Sequence, residues 1–137
     1  MAYEKFPVEV LTPEGEVFKD EVEQISTRTT VGSIGVLAHH QPLLAMLDPT
    51  ELRLYKSQSE VVSFAQAEGY MQIANNRALI LVEEAHQPKQ LDAGELRERL
   101  RQAEEQLESA GEDSERRRVA ERDKRRWEAF LRVAEGS

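Results

Sequence analysis

The chain has 137 residues, a net charge of −8 and no cysteine, with 39% hydrophobic and 32% charged side chains. That length holds one domain with an appendage, and the composition suggests a modest core with a large solvated or partner-facing surface. The missing thiols exclude disulfides, thiolate nucleophiles and zinc–thiolate sites, and the acidity argues against nucleic acid, whose phosphates demand excess Lys and Arg.

No secretion signal is expected, because MAYEKFPVEV lacks a basic start followed by a long apolar run. Nor does any stretch approach the roughly 20 apolar residues of a spanning helix, so direct membrane insertion is not expected.

From Phe6 to Glu84 the pattern is that of short strands. Val8, Val10 and Val17 alternate with polar residues around a Thr12–Gly15 turn, and residues 22–29 form a β-branched run that disfavours helix. Leu52–Tyr55, Val61–Ala67, Tyr70–Ala74 and Ala78–Val82 continue the series, separated by turn signals at Asp48-Pro49, Lys56–Glu60, Gly69 and Asn75-Asn76. Strands at this spacing predict an all-β sandwich or barrel, without the rhythm of a nucleotide-binding parallel sheet.

The period changes after Gln87-Pro88. Leu96, Leu100, Ala103, Leu107 and Ala110 recur at steps of four and three, as on an amphipathic helix. Asp92 reads as its N-cap and Glu95 as the capping partner. Gly111–Ser114 ends this helix and caps a second, which lines up Val119, Ala120, Trp127, Phe130, Leu131 and Ala134. An antiparallel helical hairpin is predicted.

The segment GSIGVLAHHQPLLA, Gly32 to Ala45, crowds glycine, histidine and proline together. Adjacent side chains on an extended chain point to opposite faces, so His39 and His40 cannot easily share a metal, and no metal site is expected. No serine sits in a nucleophile elbow, and the glycine spacing lacks the phosphate-loop pattern. The glycines are read as permitting tight or left-handed turns, with Pro42 fixing the exit direction. An enzyme is not expected, nor a cofactor.

Residues 114–133 hold 8 basic and 4 acidic side chains on an otherwise acidic protein. Arg116, Arg117, Arg118, Arg122, Lys124, Arg125 and Arg126 form either a solvated helix face or a docking surface for an acidic partner.

The ordered set VEVLTPEGEVF (Val8 to Phe18), VEQIS (Val22 to Ser26), GSIGVLAHHQPLLA, EGYMQI (Glu68 to Ile73) and Leu91-Asp92 resembles the epsilon-subunit family of bacterial F-type ATP synthases. The resemblance implies a ten-stranded β-sandwich, residues 1–87, followed by a two-helix hairpin, residues 88–137. It implies a non-catalytic central-stalk subunit at the cytoplasmic face of the cell membrane, coupling proton flow to ATP synthesis. The sandwich would bind the gamma subunit and rest on the c-subunit ring, with Val31, Gly32, Ser33 and His40 facing the ring. The hairpin would reach the alpha/beta head and inhibit hydrolysis through Arg116, Arg117, Arg118, Arg122, Arg125 and Arg126. The competing class is a stand-alone sandwich and hairpin module with another acidic partner.

Some members of that family bind ATP through [IL]-D-x-x-R-A. Here only Leu91 and Asp92 match; Glu95 and Leu96 stand at the Arg and Ala positions, and an acid there repels phosphate. Glu68 also replaces a glycine usual beside Gly69.

Overall fold

The computed structural model describes residues 3–136; residues 1, 2 and 137, the outermost of the two expected domains, lie outside the described residues. Ten strands come first: β1 (Phe6–Thr12), β2 (Gly15–Val22), β3 (Gln24–Thr29), β4 (Gly32–Leu37), β5 (Leu43–Leu47), β6 (Thr50–Tyr55), β7 (Val61–Gln66), β8 (Gly69–Ala74), β9 (Arg77–Val82) and β10 (Ala85–His86). A short 3-10 turn, Pro88–Gln90, leads to α1 (Ala93–Ser109) and α2 (Ser114–Gly136). The fold is the expected β-sandwich followed by an antiparallel helical hairpin.

Strand order is β10-β7-β6-β3-β5-β8-β9-β1-β2, with β4 paired to β3. Alternation decides what faces inward. Phe6, Val8 and Val10 of β1 are buried, as are Ala78, Ile80 and Val82 of β9. These two strands run parallel, with Val8 opposite Ala78 and Val10 opposite Ile80. Val22, Ile25, Val36, Leu47, Leu52, Leu54, Phe64, Met71 and Ile73 complete the main core.

Two turns show local chemistry setting the chain path. Asn75 and Asn76 both adopt positive φ, 52° and 59°, as a tight hairpin turn between β8 and β9 requires. Gly69 is demanded by close approach: a Cβ there would lie 1.9 Å from the Leu81 carbonyl oxygen and 2.7 Å from Val82 Cα.

Several expectations need correction. Val17 does not continue the inward row of Val8 and Val10. The register runs Val10 opposite Phe18 and then Leu11 opposite Glu16, so Val17 is the extra residue of a bulge and Phe18 packs on the core. The run 22–29 is broken at Glu23, whose N–H donates to the Tyr55 carbonyl at 2.7 Å. Gly32 to Leu37 is strand β4 rather than a loop, and Gly35 opposes Ser26 in its ladder. Of its two glycines only Gly32 has positive φ, 138°; the other left-handed residue of the segment is His39, at 64°.

In the hairpin, Asp92 accepts a hydrogen bond from Glu95 N–H at 3.1 Å and caps α1. The Glu95 carboxylate does not close the capping box; it pairs with Arg99 at 2.6 Å, one turn on. Gly111 turns the chain at φ 58°, and Asp113 caps α2 by accepting from Arg116 N–H at 3.1 Å.

Candidate functional site

The hairpin lies against the sandwich. Ala65 and Ala67 form a shallow floor at the end of β7, and Leu96, Phe130 and Val133 close over it as a second small core. Alanine is small enough to admit the Phe130 ring, which meets His86 and Trp127 edge-on, each at 5.8 Å between centroids. Ala129, which the helical stripe read from sequence left out, is also buried.

Charge surrounds this apolar contact. Arg126 Nε and Nη2 donate to Glu68 Oε1 and Oε2 at 3.2 and 2.7 Å, and its Nη1 donates to Glu84 Oε2 at 2.7 Å. Only 11% of the Arg126 side chain is exposed. Arg125 reaches Asp48 at 3.4 Å and Arg122 reaches Glu68 at 3.9 Å. Trp127 is flanked by the guanidinium groups of Arg99 and Arg126, 5.0 and 5.7 Å from the ring centre. Partial burial works to raise the Glu68 carboxyl, but Arg126, with help from Arg122, holds it below the usual carboxylate range. Burial likewise works against the Arg126 charge, and Glu68, Glu84 and Asp123 overcome it and raise that group.

The remaining arginines of the expected docking surface stand apart. Arg116, Arg117 and Arg118 are exposed at the start of α2. Arg117 donates to the Gly111 carbonyl at 3.2 Å, and Arg118 pairs with Glu115 at 2.8 Å. Of the three that reach sandwich carboxylates only Arg126 is largely buried; Arg125 and Arg122 stay exposed, and Arg122 is nearer to Asp123 of its own helix, at 3.1 Å.

The four residues assigned to a ring contact also separate. Val31 forms the tip of the β3–β4 hairpin and is 95% exposed. Thr29 Oγ1 shapes this tip, accepting from Val31 N–H at 3.2 Å and donating to the Gly32 carbonyl at 2.9 Å. His40 lies beyond the far end of β4, and six strand residues between them span about 20 Å. There the His39 N–H donates to Asn76 Oδ1 at 2.7 Å, tying this corner to the β8–β9 turn, and the His39 ring pairs with Glu4. The His40 ring meets the Gln41 carbonyl at 2.7 Å, and His39 is left-handed at φ 64°, so this pair is not the extended one the sequence suggested. Among the described residues no group of His, Cys, Asp or Glu could hold a metal ion.

A third surface was not read from the sequence. Leu44 and Met46 of β5, Tyr70 of β8 and Leu81 of β9 are exposed apolar residues on the outer face of neighbouring strands. Met46 opposes Tyr70, and Tyr70 opposes Leu81, so they form a row across the sheet. The helices cover the β6–β7 side instead. A groove of about 500 Å³, lined by Met46, Tyr70 and Leu81 on one flank and Asp48, Glu68 and Arg125 on the other, joins this row to the hairpin. Alternation in β5, β8 and β9 could have flagged apolar side chains on both faces, but not which face stays bare.

Residues 5–88 match the β-sandwich domain of the ATP synthase delta/epsilon chain family. The chain belongs to the ATP synthase epsilon-chain family. It is 30% identical to the ATP synthase epsilon chain of Sulfurihydrogenibium sp. over 129 residues, covering 94% of this chain and 96% of that one. With the epsilon chain of Persephonella marina it shares 37% identity over 103 residues, 75% of this chain and 76% of the other. Its fold superposes on a chain of the mitochondrial ATP synthase of Euglena gracilis with a TM-score of 0.79 at 20% identity, covering 92% of this chain and 79% of that one. A chain from the Tetrahymena thermophila mitochondrial ATP synthase gives 0.62 at 19% identity, covering 96% and 98%.

The segment Gly32 to Ala45 places strand β4, the His39 corner and the start of β5, which between them carry Ser33, His40 and Leu44. Asp92 is used as a helix cap, and Glu95 answers Arg99.

Proposed function

We propose that this chain is the non-catalytic epsilon subunit of the central stalk, coupling proton flow through the c-ring to ATP synthesis in the alpha/beta head. The observation that carries the reading is the bare apolar row of Met46, Tyr70 and Leu81 on the family's sandwich. A contiguous apolar strip beside a polar rim marks a protein contact, and here the gamma subunit is its occupant. The relatives are ATP synthase epsilon chains, and the Tetrahymena neighbour comes from a central stalk and c-ring assembly.

Val31, Gly32 and Ser33, at the projecting β3–β4 tip, are assigned to the c-ring. His40, beyond the other end of β4, is assigned to the same partner. Residues 1–87 serve as the coupling domain and 88–137 as the regulatory hairpin. Among the described residues, no helix is long and apolar enough to cross a membrane. The chain is placed peripherally, at the cytoplasmic face.

The hairpin is assigned an inhibitory role on the head through its arginines. Its contact with the sandwich rests on one small apolar cluster and one charged cluster, as a reversible two-state packing requires. Co-purification with gamma and c-ring components tests the stalk assignment, and failure to bind isolated gamma at low salt overturns it. Deleting residues 88–137 tests inhibition: assembly persists and hydrolysis by the reconstituted head rises. Unchanged hydrolysis removes the inhibitory role and leaves coupling.

A further inference from the structure

The strand β9 carries a cation, two leucines and an anion along one face. Arg77, Leu79 and Leu81 alternate outward while Ala78, Ile80 and Val82 are buried in the core. Glu83 N–H donates to the Glu68 carbonyl at 3.1 Å, so the pairing with β8 runs on past Val82 and Glu83 follows Leu81 on the outer side. Arg77 and Glu83 are both exposed, and among the described residues neither side chain has an ion-pair partner. Six residues of extended chain hold the two charges about 20 Å apart.

The neighbouring strands repeat this order. Gln72 and then Leu44 stand beside Leu79, and Tyr70 and then Met46 stand beside Leu81. Beyond them, at the Glu83 end, lie Glu68 and Asp48. Glu68 is taken by Arg126 and Asp48 is shared with Arg125, which leaves Glu83 as the open carboxylate of the groove it lines. The face is therefore graded along its strands, from a cation through an apolar middle to an anion.

We infer that this gradient fixes the direction in which the partner lies: the face takes an amphipathic helix of gamma aligned with the strands, with an acidic residue over Arg77 and a basic one over Glu83. The inference rests on the gamma reading above and adds the orientation. A helix is the element that covers a sheet face. At its rise of 1.5 Å per residue, about 20 Å corresponds to about 13 residues, so the two partner charges stand about three to four turns apart with apolar residues between them. A helix laid the other way puts like charges together at both ends. The apolar middle alone makes no such distinction, because apolar burial is non-directional.

The test titrates purified gamma with the full chain at low and moderate salt. Arg77→Glu and Glu83→Lys are each expected to weaken binding about tenfold with an unchanged thermal midpoint, since both side chains are exposed. In Arg77→Glu/Glu83→Lys the two changes cancel in net charge. That double reversal is expected to bind about 100-fold more weakly than the parent, because sites about 20 Å apart act additively. Arg77→Gln and Glu83→Gln should each flatten the salt dependence.

Single reversals within about twofold of the parent overturn the orientation. So does a double reversal that binds better than either single one, which would trace the single effects to net charge. Either result leaves the gamma contact standing. Absence of binding by the parent chain removes the contact, and the orientation with it.

Discussion

Arg126 and Glu68 meet across the boundary between hairpin and sandwich as a two-pronged pair, with nitrogen–oxygen distances of 2.7 and 3.2 Å. The fork of a guanidinium matches the two oxygens of a carboxylate, which fixes angle as well as distance. Glu84 takes the remaining prong and Trp127 packs beside the same group. This arginine fixes the angle of α2 over the apolar contact that Phe130 and Val133 make with the sheet.

Acid should release the hairpin before it unfolds the sandwich. Glu68 is held below its ordinary value of 4.5 in the docked state, so its contribution is complete above that pH and is lost as pH falls through the lowered value. Trp127, the only tryptophan, reports the change. Its emission is expected to stay constant from neutral pH down to about 5 and to shift below that. A shift already complete at about pH 6 would assign the docking to some other group.

Phe130→Ala should undock the hairpin and spare the sandwich. The ring is 1% exposed over Ala65 and Ala67, and removing a buried ring of this size costs about 3–5 kcal/mol. Urea unfolding is expected to show Trp127 emission changing well before the strand signal. Coincident, unshifted transitions by both probes would place Phe130 outside the docking energy.

Gly69→Ala should destabilise the sandwich by about 1–3 kcal/mol or more, because the new Cβ meets the Leu81 carbonyl and Val82 Cα, which are backbone atoms of a central strand. Gly35→Ala meets the end of the Gln24 side chain at 3.4 Å and should cost less. Thermal unfolding of the two variants gives the comparison, and equal midpoints would contradict it.

Replacing Tyr70 and Leu81 by serine should cost about 1 kcal/mol per site and leave the sandwich folded, since each side chain is only about half covered. Affinity for purified gamma, measured by titration, is expected to fall at least about tenfold. Undiminished affinity would move the gamma contact off this row.

Calorimetric titration of the isolated chain with ATP should show no saturable binding. Asp92 is committed to the α1 cap, and Glu95 brings a negative charge paired to Arg99 where the family motif carries an arginine. Clear saturation would show that other residues supply the phosphate contacts.

Much of the fold was legible in the residues because local signals agreed. Val8 and Val10 alternate, Asn75-Asn76 supply a left-handed pair, and Asp92 and Asp113 stand before helical stripes. The bulge at Val17 was not legible, since one extra residue in a strand leaves no mark on composition. The distance between Val31 and His40 was not legible either: they are nine positions apart in sequence, and only the pairing of β4 with β3 shows that a straight strand separates them.

The sequence by itself determined the two periods, the caps, the glycines and the basic helix, because each depends on residues within a few positions of one another. Which arginine is buried against the sandwich was decided by the tertiary structure alone, and it is Arg126. Asp48, Glu68 and Glu84 reach α2 only after the strands have paired, and a charge has no partner until the chain brings one within a few ångströms.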